Sequence, residues 1–209
     1  MKIKIANILL LSLALIAIPG FASAYQPQII DYKDVPIVVE RPEISKSYFG
    51  KLNGKPHEYI IKLDIPVSLD VVLSVPDVPG AKKDFVVSGV SLGETIFQLD
   101  AEKAEWKPYF DNFGHDNYLV GPEESTDLVA GTYSIIVENP DNVGSYVLTI
   151  GNKEAFPFAE AINSILTIPK IKQQFFNKPI WDSLESPYVS VPVGGLVVIL
   201  LVGWWLIKR

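Results

Sequence analysis

The stretch DNFGHDNYLVGPEE, residues 111–124, holds the densest group of side chains that could bind a ligand. Just before it, Trp106 and Tyr109 can form an aromatic platform, with His115 and Asp116 supplying hydrogen bonds to a sugar or a peptide. A structural role fits the same residues, because aromatic side chains are mostly buried for stability. In that role the rings of residues 106–118 belong to a long loop that caps an open end of the domain, while His115 and Asp116 stay solvated. We favour the structural role.

Metal ligands are few. Asp111, Asp116 and Glu123 supply the carboxylate oxygens that calcium prefers, without the D-x-D-x-D-G spacing of a calcium loop. His57 and His115 are the only histidines, and the chain has no cysteine and no methionine after the initiator. A copper or zinc site would therefore need both histidines and carboxylates brought together by the fold. We predict no cofactor, with calcium as the alternative.

The sequence GVSLG, residues 89–93, matches the G-x-S-x-G motif of serine hydrolases. That motif works only where a strand precedes the serine and a helix follows it. The residues after Ser91, ETIFQLDA, have the alternating pattern of another strand. We therefore interpret residues 89–93 as a β-turn and predict that the protein is not an enzyme, with a hydrolase using Ser91 as a rival hypothesis.

The N-terminal residues have the three parts of a secretory signal. Lys2 and Lys4 precede an apolar run over residues 5–18, and Ala22 and Ala24 provide the small residues of a cleavage site. We predict a signal peptide over residues 1–24, followed by an extended segment over residues 25–43.

An uncharged run of 19 residues, from Val189 to Ile207, lies near the C-terminus. As a helix it is roughly 28 Å long, close to the hydrocarbon thickness of a bilayer. Paired tryptophans and then Lys208-Arg209 end the run. The positive-inside tendency places residues 208–209 in the cytoplasm. We predict a single-pass protein of the cell membrane with its N-terminal domain outside.

The predicted exported region is acidic. Residues 25–152 contain ten Lys and Arg against twenty Asp and Glu, so nucleic acid is a poor partner. The predicted partners are the bilayer, through residues 189–207, and a protein or polysaccharide of the cell envelope. Without cysteine there are no disulfides, and a hydrophobic core must stabilise the domain.

Alternating apolar residues predict short β-strands over residues 44–152. One face of the first clear run carries Tyr59, Ile61, Leu63 and Ile65, and a second run follows over residues 69–75. The segment GTYSIIVENPDNVGSYVLTIG has inward-facing residues on both sides of the turn-forming NPDNVG, which predicts a β-hairpin. The strands together predict an all-β, antiparallel β-sandwich.

The order SKSYFGKLNGKPHEYIIKLDIPVSLDVVLSVPD, a long middle, then AGTYSIIVENPDNVGSYVLTIG resembles the bacterial pre-peptidase C-terminal domain. The resemblance covers residues 44–151. It implies a jelly-roll-like sandwich, and members of this family are non-catalytic modules, some of which bind calcium or matrix polymers.

Residues 153–188 form the predicted juxtamembrane connector. Apolar residues at helical spacing, with Pro169 and Pro179 as breaks, predict two short amphipathic helices. Lys170, Lys172, Lys178 and nearby aromatic residues suit the outer membrane interface, but packing against the sandwich fits equally. The sequence thus predicts a membrane-anchored binding or scaffolding module, with a calcium- or copper-handling envelope protein as the alternative.

Overall fold

The computed structural model describes residues 25–155 and 157–208, so the predicted signal peptide lies outside the described residues. The strands are β1 (Gln26–Ile29), β2 (Ile37–Val39), β3 (Lys46–Asn53), β4 (His57–Leu63), β5 (Val67–Pro76), β6 (Val86–Ser91), β7 (Glu94–Asp100), β8 (Lys107–Asp111), β9 (Asp116–Leu128), β10 (Gly131–Glu138) and β11 (Val143–Ile150). They form a six-stranded sheet in the order β1-β3-β11-β5-β9-β8 and a five-stranded sheet in the order β2-β4-β10-β6-β7. The predicted all-β sandwich is confirmed.

The core lies between the two sheets. Alternation places one face of each central strand inside, and the predicted inward residues of β5, β10 and β11 are all buried. Tyr59, Ile61 and Leu63 of β4 are buried as well, but Ile65 is 69% exposed because β4 ends at Leu63. Alternation therefore predicted the buried face correctly within β4, β5, β10 and β11, and it failed where β4 stopped.

The predicted hairpin between β10 and β11 is wrong. β10 pairs with β4 and β6 in the five-stranded sheet, whereas β11 pairs with β3 and β5 in the six-stranded sheet. The connecting loop is held by Asn139, whose side chain accepts from Val143 N at 3.0 Å and donates to Asp84 at 3.1 Å. Turn residues reverse the chain without specifying its next partner, so a crossing between sheets gives the same pattern of residues as a hairpin.

Residues 106–118 do not form a long loop. β8 and β9 pair as an antiparallel hairpin, with Asp111 opposite Asp116. The hairpin places successive side chains of β8 on opposite faces of the sheet.

The sandwich begins before residue 44. Within residues 25–43, β1 pairs in parallel with β3 and β2 pairs in parallel with β4. The predicted extended segment thus adds an edge strand to each sheet.

The helical region follows the last strand. Helix α1 runs from Phe158 to Phe176, a short 3-10 helix from Ile180 to Glu185, and helix α2 from Pro187 to Ile207. The predicted short helices are present and are separated at Pro179, but the predicted break at Pro169 is wrong, since α1 continues through Pro169. Ile171, Phe175 and Phe176 of α1 are buried against the outer face of the six-stranded sheet, at Phe49, Tyr118 and Val147. The connector therefore packs on the sandwich.

Candidate functional site

The turn that joins β8 to β9, residues 111–116, is called here the hairpin tip. Its conformation is set by Asp111, whose carboxylate accepts from Gly114 N at 2.7 Å and from Phe113 N at 3.2 Å. His115 adopts a left-handed backbone, with φ of 60°, and donates its N–H to Asp111 O at 2.8 Å. Asp at the start of the turn is favoured because its side chain can satisfy the backbone N–H groups that follow.

Asp116 is buried and joined to the helical region. Its Oδ1 accepts from Lys178 Nζ at 2.7 Å and from Lys172 Nζ at 3.1 Å. Lys172 is fully buried and also donates to His115 O at 3.1 Å. The expectation that Asp116 stays solvated is therefore wrong, because helix α1 and the residues after it cover Asp116 and supply two cations, Lys172 and Lys178.

Phe113 connects the hairpin tip to the start of α2. Its ring packs against Tyr25 and Tyr188, with centroid distances of 5.2 and 4.6 Å. Ser186 donates its Oγ–H to Phe113 O at 2.6 Å, and the same Oγ accepts from Tyr188 N at 3.2 Å as the N-cap of α2. The hairpin tip is thus bonded directly to the residue where the apolar helix begins.

The four predicted ligand-binding residues do not share one surface. Trp106 packs against the core and donates Nε1–H to Ala101 O at 3.1 Å. Tyr109 lies on the outer face of the six-stranded sheet and is 47% exposed. His115 is exposed with its ring against Phe110 at 4.8 Å, and Asp116 is occupied by lysines. The predicted platform of Trp106 and Tyr109 is therefore not assembled.

No metal cluster forms in residues 25–155 and 157–208, where no group of three or more His, Asp or Glu side chains is placed to hold an ion. Glu123 is an exposed residue of β9, paired with Val72. His57 lies at the start of β4, buried beside the core, and its Nδ1 is 2.7 Å from the Tyr146 hydroxyl. The calcium candidates and the two histidines thus do not come together as ligand sets.

His57 belongs to a buried polar chain that the sequence pattern did not indicate. The hydroxyl of Tyr146 lies 2.7 Å from His57 Nδ1 and 2.7 Å from the hydroxyl of Tyr59. Tyr32 stacks on the imidazole at 4.3 Å. Burial lowers the pKa of His57 to about 4, because a neutral ring is favoured away from water. The only sequence signal for this buried polar chain was a polar residue, His57, at the first position of a strand with alternating apolar residues.

A cavity of about 220 Å³ opens on the outer face of the six-stranded sheet, beside the hairpin tip. Its aromatic lining includes Tyr25, Tyr109 and Tyr118, and its polar lining includes Asp111, Glu154, Ser47 and Thr149. Tyr25 donates its hydroxyl to Asp111 Oδ2 at 2.8 Å. Burial raises the pKa of Asp111, although hydrogen bonds from Gly114, Tyr25 and Phe113 oppose the shift. Of the predicted ligand-binding residues, Tyr109 alone lines this cavity.

Ser91 lies in a strand-turn-strand unit. β6 ends at Ser91, Leu92 and Gly93 turn with φ of 51° and 83°, and β7 begins at Glu94. The Ser91 hydroxyl donates to Thr132 O at 3.1 Å. The strand-to-helix elbow that would expose a nucleophilic serine does not occur here.

No family model and no curated protein matches the chain. Among solved structures, the chain is similar to the pre-peptidase C-terminal domain of a collagenase from Bacillus anthracis, with 12% sequence identity and a TM-score of 0.34. The similarity covers 63% of this chain and 98% of that chain. The sheets and helices of the present chain define its class as a β-sandwich that continues into an apolar C-terminal helix.

Proposed function

We propose that this protein is a membrane-anchored, extracytoplasmic β-sandwich that binds or scaffolds a partner at the cell envelope without catalysing a reaction. The observation that carries the proposal is helix α2, Pro187–Ile207, which is long and apolar enough to cross a membrane, with a mean hydropathy of 2.2. None of its apolar window is buried by the sandwich. A helix of this composition needs an apolar surrounding, which a bilayer provides.

The segment just before α2 supports anchoring. Ile180, Trp181 and Leu184 of the 3-10 helix are exposed, and Trp181 is 68% exposed. Tryptophan and aliphatic side chains immediately outside a span are typical of the membrane interface. Two of the three lysines that also suggested an interfacial connector have another role, since Lys172 and Lys178 contact Asp116. Membrane contact is therefore assigned to the 3-10 helix, while α1 packs on the sheet.

The bonds of the hairpin tip favour a scaffold of fixed orientation. Ser186 joins Phe113 O to the first turn of α2, and Lys172 and Lys178 join Asp116 to the end of α1 and the residues after it. The sandwich would then sit at the bilayer with the hairpin tip towards the lipid and the opposite loops outward. A non-catalytic role is favoured by the surroundings of Ser91, whose hydroxyl is engaged by a backbone carbonyl.

Alkaline carbonate extraction of membranes tests the anchor. We expect the full chain to stay in the membrane pellet, and a variant ending at Glu185 to appear in the soluble fraction. Release of the full chain by carbonate would contradict the proposal, because a peripheral protein behaves in that way. A variant with Trp204→Phe and Trp205→Phe keeps the span apolar and serves as the matched control that should remain in the pellet.

A further inference from the structure

The cavity beside the hairpin tip combines a buried carboxylate with aromatic walls. Asp111 is 3% exposed. Its hydrogen-bond donors are the hydroxyl of Tyr25 and the backbone N–H groups of Phe113 and Gly114. No basic side chain of the described residues lies within ion-pair distance of this carboxylate. A buried charge without a counter-ion is costly.

Asp116 provides the internal comparison. It begins the neighbouring strand and is equally buried, yet two lysines contact it, Lys172 at 3.1 Å and Lys178 at 2.7 Å. The helical region thus supplies cations to one carboxylate of the hairpin, and the other carboxylate faces a cavity. The difference marks Asp111 as a carboxylate whose counter-charge can come from outside the chain.

The remaining lining indicates the chemistry of that counter-charge. Among the described residues, the cavity lining contains Asp111 and Glu154 and no Lys, Arg or His. Such a lining attracts cations and repels phosphates and carboxylates. Tyr25, Tyr109 and Tyr118 add ring faces, which attract ammonium groups. An inorganic divalent ion is less suited, because the described residues offer no cluster of three metal-ligating side chains.

We propose that this cavity binds an organic ammonium group, with Asp111 as the counter-ion and Tyr109 as the accessible part of its aromatic wall. The inference rests on the proposed binding role and names the chemical class of its ligand. Tyr118 fits the same reading, since its hydroxyl is buried and has no hydrogen-bond partner among the described residues.

The test is a titration of the detergent-solubilised full chain with choline chloride, against sodium chloride at equal ionic strength. The paired probe is dimethylbutanol, in which a quaternary carbon replaces the nitrogen of choline. We expect saturable binding of choline, seen as a shift in tyrosine fluorescence and a rise in Tm, and at least about tenfold weaker binding of the neutral alcohol, equivalent to roughly 1.4 kcal/mol. Equal binding of the two probes, or no saturable binding of choline, would overturn the proposal.

Two variants and one control locate the binding. Tyr109→Ala removes a half-exposed ring, and Asp111→Asn removes the charge while keeping one of the two acceptor oxygens of the turn. Each variant should weaken choline binding about tenfold or more, or roughly 1.4 kcal/mol. Phe110→Ala removes an aromatic ring of similar exposure from the opposite face of β8 and should bind choline like the wild type. Unchanged binding in Tyr109→Ala would contradict the assignment even if Asp111→Asn fails to fold.

Titrations with glucose and with calcium chloride separate the other ligands. Saturable binding of either one, lost in Tyr109→Ala and unaccompanied by choline binding, would replace the ammonium assignment with a sugar or a metal. The outcome is independent of the anchor, because carbonate extraction reports on residues 187–207 and choline binding on the outer sheet face. If the chain stays in the membrane but does not bind choline, the proposed ammonium site is contradicted and the proposed membrane anchor is not.

Discussion

Lys172 is the buried cation that joins the helical region to the sandwich. It is fully buried and contacts Asp116 Oδ1 and His115 O, both at 3.1 Å. Removing its charge leaves Lys178 as the remaining cation on Asp116 and removes the donor to His115 O, so a buried polar network is broken in part. We predict that Lys172→Met lowers the free energy of unfolding by about 1–3 kcal/mol, measured by chemical denaturation of the detergent-solubilised chain.

The control for this change is Lys103→Met. Lys103 also pairs with an aspartate, Asp100, but its side chain is 82% exposed, and exposed pairs contribute little because water screens them. The variant should unfold like the wild type. If Lys103→Met and Lys172→Met have the same effect, the hairpin tip is not the link between the two regions.

Burial of His57 makes the free energy of unfolding decrease as the pH falls below neutral. Its pKa is lowered to about 4 in the folded state, whereas an exposed histidine titrates near 6.5. Between these values the unfolded chain binds a proton that the folded chain does not, so stability falls as the pH is lowered. The loss is at most about 1.4 kcal/mol for each pH unit in that range.

Comparing denaturation midpoints of the wild type and His57→Gln between pH 7 and pH 4 isolates this contribution. We expect His57→Gln to be less stable at pH 7, since it disturbs the contact with Tyr146, and to lose less stability on acidification. His115→Gln makes the same replacement at an exposed position and serves as the control for exchanging an imidazole for an amide. Identical slopes for the wild type and His57→Gln would show that His57 is not held neutral by burial.

Helix α1 depends on one apolar face for its position. Ile171 and Phe175 are 2% and 5% exposed against the outer face of the six-stranded sheet, while Leu166 on the same helix is 64% exposed. We predict that Ile171→Ala and Phe175→Ala each cost about 2–5 kcal/mol, and that Leu166→Ala is nearly neutral. Amide hydrogen exchange in α1 should rise in the first two variants alone; a similar rise in Leu166→Ala would contradict the docking.

Sequence patterns predicted best the strands in which buried and exposed positions alternate regularly. Leu69, Val71, Leu73 and Val75 alternate along one central strand, and all four are buried. Pro169 shows the opposite case, because a proline usually ends a helix by removing an N–H and crowding the preceding turn. Here Ile168 and Ile171 on either side of it are buried against neighbouring elements, and this packing outweighs the local preference.

The sequence indicated where the candidate site lies, but it did not indicate which residues contact one another there. Asp111, Tyr109 and Asp116 stood out by residue type, and all three lie in the β8–β9 hairpin. Their roles depend on partners distant in sequence, such as Tyr25, 86 residues from Asp111, and Lys172, 56 residues from Asp116. Such pairings are set by the order of strands in the sheets, and the crossing from β10 to β11 shows that turn residues alone do not encode that order.

The whole molecule is an acidic sandwich whose hairpin tip is bonded to the start of an apolar helix. Residues 25–152 carry twice as many acidic as basic side chains, and the proposed anchor ends with Lys208-Arg209. By the positive-inside tendency, the two basic residues after the proposed anchor favour a cytoplasmic C-terminus, which agrees with the proposed outward domain. The same orientation would present the cavity of Tyr109 and Asp111 close to the outer surface of the bilayer.

Protease treatment of intact cells or spheroplasts that carry the full chain with a C-terminal tag tests the account most directly. We predict that the protease removes the sandwich from the cell surface, and that the tag survives on a small fragment that contains residues 187–209 until the membrane is permeabilised. A protected sandwich with a digested tag would contradict the account, because it would place the domain and its binding surface in the cytoplasm.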